Sequence, residues 1–112
     1  MAKIDPSTRE AAGAFLEAAR RTFSISGAML FGSRARNDNS PDSDADLAVF
    51  LKGDVGSFVP TKLAMADIAY DVLLEKGILI QPLPIWEQEW QHPERYPNPR
   101  LLANIRRDGI AL

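Results

Sequence analysis

Asp44-Ala45-Asp46 opens the apolar run Leu47-Ala48-Val49-Phe50-Leu51, and no other stretch limits the chain's folding options so tightly. Five apolar residues in a row, bounded by a polar loop before and by Lys52-Gly53-Asp54 after, read as a strand covered on both faces. Alternation along it sends the two carboxylates to one face, with Cβ atoms roughly 6–7 Å apart. Like charges beside a hydrophobic core repel each other and lose hydration, so the pair calls for a divalent cation with oxygen ligands. Upstream, Gly27-Ala28-Met29-Leu30-Phe31 reads as a second short strand that runs straight into Gly32-Ser33. Gly lets another group approach the backbone closely, and a hydroxyl with free amides at a helix start suits an anion, so phosphate oxygens fit there. A calcium loop is excluded: Asp42, Asp44 and Asp46 alternate as it requires, but Leu47 and Gly53 stand where its Gly and Glu belong.

A turn for a phosphate tail and a neighbouring strand for the metal that bridges it describe a triphosphate site. The segment Gly32-Ser33-Arg34-Ala35-Arg36, followed by Asp44 and Asp46, resembles the minimal nucleotidyltransferases of the polymerase-β-like superfamily. The resemblance extends over nearly the whole chain, through the helix before the Gly-Ser turn to Ile105-Arg106-Arg107-Asp108-Gly109-Ile110. It implies a small mixed sheet with helices packed on one face and a nucleotide cleft on the other. It also implies Mg²⁺ on Asp44 and Asp46, and an NTP, ATP above all, held at Gly32 and Ser33 with Arg34 and Arg36 beside it, although surface arginines balancing Asp38 and Asp42 are an equal reading of those two. Stand-alone members of this type are commonly antitoxins that attach AMP to a tyrosine of an all-helical HEPN ribonuclease, so a HEPN-type partner is expected.

Two departures accompany the likeness. Asn37 replaces a Gly, and Asn is the next residue most tolerant of a left-handed backbone. Active members carry a third carboxylate on a neighbouring strand, where this chain offers Gln81. An amide coordinates weakly and takes up no proton, so turnover through Asp44 and Asp46 alone is expected to be slow. Two other readings therefore stay open. One is a nucleotide-binding antitoxin, weak or inactive in catalysis, that acts by complex formation; the other is an aminoglycoside-type small-molecule nucleotidyltransferase, a class that usually carries a further helical domain.

At 112 residues the chain is expected to form one domain, 1–112, with enough core to fold unaided. It has no cysteine, which suits a reducing cytoplasm and removes thiolate chemistry and Cys-bound zinc. Met1-Ala2-Lys3-Ile4-Asp5 lacks the apolar core of a signal peptide, and no apolar run approaches a membrane span. Thirteen Lys and Arg against 15 Asp and Glu leave a net charge of −2, against an extended nucleic-acid surface but compatible with a mononucleotide.

Asp5 or Ser7 is expected to cap a first helix whose stripe is Ala11, Ala12, Phe15, Leu16 and Ala19. Strands follow from about Ile25 to Phe31 and Asp44 to Leu51, with a helical turn from Gly32 to Arg36 and a polar loop from Asn37 to Ser43 between them. Pro60-Thr61 introduces a long helix that stops at Gly77, with apolar residues on more than one stripe, so that one side is free for a partner or a homo- or hetero-oligomer. The last strand, Ile78 to Trp86, contains Pro82 and Pro84 and belongs at a sheet edge. Asn98-Pro99 begins a final helix that Gly109 ends. His92 sits in a loop and is assigned no role, Trp86, Trp90 and Tyr96 are expected to complete the core, and Asp67 and Asp71 to lie on a solvated face.

Overall fold

A computed structural model describes residues 4–112; Met1, Ala2 and Lys3, part of the N-terminal reading above, lie outside them. The element order is α1 (Pro6–Ala19), β1 (Ile25–Phe31), α2 (Ser33–Arg36), β2 (Ala45–Leu51), α3 (Phe58–Lys76), β3 (Ile80–Trp86), α4 (Glu87–Gln91), a 3-10 turn (Pro93–Arg95), α5 (Pro99–Asp108) and β4 (Ile110–Ala111). The four strands form one mixed sheet in the order β3-β2-β1-β4, with β1 antiparallel to β2 and β4, and β2 parallel to β3. This is the mixed α/β architecture expected from the sequence.

Alternation along β2 builds two cores. Leu47, Val49 and Leu51 join Phe15, Leu16 and Met65 under α1 and α3, while Ala48 and Phe50 join Ile85, Tyr96, Leu102 and Ile105 on the other face. The back face is the helix-covered one anticipated. The front face is covered as well, but only in part: α5 and Trp90 of α4 lie over its far half, leaving the end that bears Asp46 open. Both prolines of β3 sit in the parallel register, opposite Leu47 and Val49. The amide of Ala45 donates to the carbonyl of Leu79 at 2.9 Å, so odd-numbered residues of β3 bond inward and Pro82 and Pro84 turn their missing N–H to the free edge.

Several boundaries differ from the sequence reading, and one strand is added. Helix α3 begins at Phe58 rather than Pro60, because Pro in the first turn lacks only an N–H that would have no intrahelical partner anyway. β3 begins at Ile80 rather than Ile78. Ile110 and Ala111 form a short strand beside Leu30 and Met29, continued by the Leu112 amide donating to the Ala28 carbonyl at 3.0 Å. Among the described residues no helix is long and apolar enough to cross a membrane.

Candidate active site

The open end of the front face is organised by register. Asp46 is paired with Phe31 on β1 and with Gln81 on β3, so Asp46 and Gln81 share a face, and Asp44 stands two residues earlier on the same side. Gln81 Nε2 donates to Asp44 Oδ2 at 3.0 Å, closing the gap between the two strands. β1 ends opposite Asp46 and passes into Gly32, whose φ of 75° favours glycine. A side chain there would collide with the Asp46 carboxylate, so the turn and the acid are in intimate contact. Asp44, Asp46, Gln81 and Gly32 therefore converge on one spot.

Ser33 opens α2, a single turn whose Ala35 and Arg36 amides both donate to the Gly32 carbonyl at 3.1 Å. The amides of the first helical residues have no intrahelical acceptor, so Ser33 presents a hydroxyl beside free N–H groups. Asn37 ends the turn with φ 61°, the left-handed conformation that made it an acceptable substitute for Gly.

Burial and the nearby Asp44 charge push the Asp46 carboxyl above the usual carboxylate range, with Arg36 opposing them. Desolvation and a like charge are incompletely balanced by Arg36, so a bound cation would favour the ionised pair. Among the described residues no three His, Cys, Asp or Glu side chains cluster as a metal site. The oxygen donors at this spot are thus the two carboxylates, a set that suits one hard divalent cation, and Gln81 directs its Nε2 rather than its amide oxygen at Asp44. The set does not supply the charge for a second.

Arg36 takes the pairing with Asp38 that was the alternative to phosphate, and Arg34 takes a third role. Arg34 was expected beside phosphate, but its guanidinium is buried and its donors are engaged by the scaffold. Nε donates to the Ser43 carbonyl at 2.9 Å, Nη2 to the Pro41 carbonyl at 3.1 Å and Nη1 to Thr8 Oγ1 at 2.9 Å. Thr8 Oγ1 in turn donates to Asp5 Oδ2 at 2.5 Å, and Asp5 caps α1 through the Thr8 amide at 3.0 Å. Arg34 thereby clamps the loop that delivers Asp44, which makes it a positioning residue. Arg36 is exposed and pairs with Asp38 at 3.2 Å, and it acts on the site through its field at Asp46. Thr8 was missed as a support, although its place on the apolar stripe of α1 marks it as a polar group that must be satisfied inside.

A strand-end glycine turn packed on an acidic pair, carried by a mixed sheet, defines a nucleotidyltransferase-type domain. A family model described as "Polymerase beta, Nucleotidyltransferase" matches residues 16–82, more than half of the chain, and the protein belongs to that family. Among solved structures, one described as a "putative nucleotidyltransferase" from Sulfolobus solfataricus is similar with a TM-score of 0.55. The match covers 96% of this chain and 86% of that one, at 21% identity, which is a likeness of fold. No curated protein matches the chain.

Proposed function

We propose that the protein transfers a nucleoside monophosphate, AMP from ATP, to a hydroxyl of a partner protein, with Mg²⁺ held by Asp44 and Asp46. The observation that carries this reading is the contact of Gly32 with the Asp46 carboxylate, which brings an anion-binding turn and a cation-binding pair together. Gly32 and Ser33 hold the terminal phosphates through backbone amides and a hydroxyl. The ion, when bound, neutralises charge on the triphosphate and on the leaving group. The acceptor oxygen bonds to the α-phosphorus while the bond to the bridging oxygen of the β-phosphate breaks, and that electron pair departs with pyrophosphate. Gln81 has no basic oxygen, so the hydroxyl proton passes to solvent water. Binding and orientation therefore supply most of the rate, and general-base help is absent.

The partner we favour is a HEPN-type toxin whose silencing in the cytoplasm would make this chain the antitoxin of the pair. Incubation of the protein with α-labelled ATP, Mg²⁺ and the product of the adjacent gene is expected to label that product. Asp44→Asn and Asp46→Asn are each expected to remove the label and keep the fold. Gln81 in place of a third acid favours one second reading, an antitoxin that binds nucleotide and neutralises its partner by contact. A stable complex without label supports that reading and ends the first.

A further inference from the structure

Helix α3 carries an apolar stripe on the side turned away from its buried residues Met65, Ala69 and Val72. Val59, Leu63, Tyr70 and Leu74 are 62%, 62%, 57% and 69% exposed, and with exposed Ala66 they recur at helical spacing. Single exposed apolar side chains are ordinary, but a continuous row of about 22 Å, at 1.5 Å per residue, marks an interaction face.

Asp67, Asp71 and Glu75 follow one another at four-residue steps along one edge of the stripe, all exposed. Like charges at this spacing disfavour a helix, and among the described residues no cation forms an ion pair with any of them. Lys76, next to Glu75, is engaged by Glu10 at 3.0 Å. The opposite edge carries Lys62, seated over the Phe58 ring at 5.8 Å.

A second copy of this chain fits the face poorly. Antiparallel pairing about a two-fold axis sets each acidic edge against its own counterpart, with Asp67 near the Asp67 of the other copy. Parallel pairing offers Lys62, at the far end of the helix, to three acids.

We propose that the outward face of α3 is a docking surface for an amphipathic helix of another protein, apolar along one face and lined with Lys or Arg where it meets Asp67, Asp71 and Glu75. Anchors at i, i+4, i+7 and i+11 are the spacing by which one helix reads another, and the charged edge sets orientation and association rate. The helix also reaches the front of the sheet at one end. Phe58, at its N-terminal end, lines an apolar cavity of about 410 Å³ together with Leu83 and Tyr96, and Leu83 lies two residues beyond Gln81 on the same face. The proposal does not depend on transfer, and its test does not read transfer.

The probes are two synthetic amphipathic peptides matching the 19 residues of α3 in length, with Leu on one face and either Lys or Glu along its edges, titrated into the ¹⁵N-labelled full chain. The Lys peptide is expected to shift the amides around Leu63, Tyr70 and Leu74 and to bind about tenfold or more tightly than the Glu peptide at low salt, a margin that narrows as salt rises. Leu63→Glu is expected to weaken both by about tenfold. Reversing the edge with Asp67→Lys, Asp71→Lys and Glu75→Lys inverts the preference, and the milder Asp71→Asn reduces it. Shifts confined to other surfaces, equal affinity for the two peptides, a preference that survives charge reversal, or sedimentation of the free chain as a dimer with this face covered would each overturn the proposal.

Discussion

Asp46 and Gln81 show how much of a site one register fixes. Directly paired across parallel strands, they are obliged to share a face, and the Asp-x-Asp spacing brings Asp44 to the same side. The shared side of Asp44 and Asp46 was legible in the sequence, because period-two alternation is a geometric necessity once the strand is identified, whereas Gln81 entered only through the family resemblance and its pairing with Asp46 through the fold. The Gln81 to Asp44 hydrogen bond was not legible, since it depends on how two side chains settle across a strand gap. It also makes a direct prediction. If transfer proceeds as proposed, Gln81→Glu would place a proton acceptor beside the attacking hydroxyl and add charge for the metal, and transfer measured as label on the acceptor should rise by roughly 10²-fold, the lower end of general-base effects. An unchanged rate would mean that proton removal does not limit turnover. Asp46→Asn tests the electrostatics in the opposite sense. A carboxyl raised in the folded state binds its proton more tightly there than in the unfolded chain. Asp46 therefore lowers stability as pH rises from the ordinary carboxylate range through its folded pKa, and the loss is complete above it. At pH 7 without ligand, Asp46→Asn is expected to melt at a higher temperature than the native chain and, on the function proposed above, to lose Mg²⁺-dependent nucleotide binding. At a pH below both values the difference in melting temperature disappears.

Between elements, α1, α2 and the 37–43 loop are tied by one buried network. Asp5, Thr8 and Arg34 form a chain of donors and acceptors that ends on the Pro41 and Ser43 carbonyls, so the N-cap of one helix and the approach to Asp44 share one buried guanidinium. From the sequence, Arg34 next to Gly32-Ser33 suggests a phosphate ligand, because nothing local reveals that three acceptors from distant segments surround it. Propensity and motif reasoning see neighbours in sequence, whereas this network closes over separations of 7 to 26 residues. Arg34→Met keeps the length of the side chain but leaves Thr8 and two carbonyls short of a donor, with an expected cost of about 2–4 kcal/mol in urea unfolding. The same variant should be cut faster within residues 37–43 by a protease. Asp5→Ala removes the cap, at about 1 kcal/mol. The pH dependence of this second loss has a definite sign. Hydrogen bonds from the Thr8 hydroxyl and amide hold the Asp5 carboxyl below its ordinary value, against a small desolvation effect and with help from Arg34. Its contribution is therefore complete above the ordinary carboxylate range and fades as pH falls through the depressed folded value. The native chain and Asp5→Ala should accordingly converge in melting temperature in strong acid. The short β4 strand escaped sequence reasoning for a related reason: two residues carry no alternation, and only the antiparallel pairing with Met29 and Leu30 defines them as a strand.

For the molecule as a whole, the decisive feature is that one strand serves two cores. Leu47, Val49 and Leu51 are sealed under α1 and α3, whereas Ala48 and Phe50 are sealed under α5 and Trp90, so neither layer can be peeled from β2 without exposing the other side of the same backbone. Two tryptophans report separately on these layers. Trp86 belongs to the back core, and Trp90 packs against Phe50 at 4.7 Å between ring centroids with the rings tilted by 50°, while the Arg106 guanidinium lies 3.8 Å from the centroid of the Trp90 ring. Trp86→Phe leaves only the front reporter and Trp90→Phe only the back one. If β2 couples the layers, then within each variant the fluorescence midpoint in urea coincides with that of far-ultraviolet circular dichroism, as a two-state transition requires. Leu102→Ala provides the stronger form of the test. Leu102 is fully buried against the front core, so its truncation should cost about 2–5 kcal/mol. Coupling requires that loss to appear at the back reporter, in the Trp90→Phe background, as fully as at the front one. A front midpoint that falls while the back midpoint stays put would make α5 a separately melting cover, and the open end of the sheet beside Asp46 would then be bounded by a movable element instead of a fixed wall.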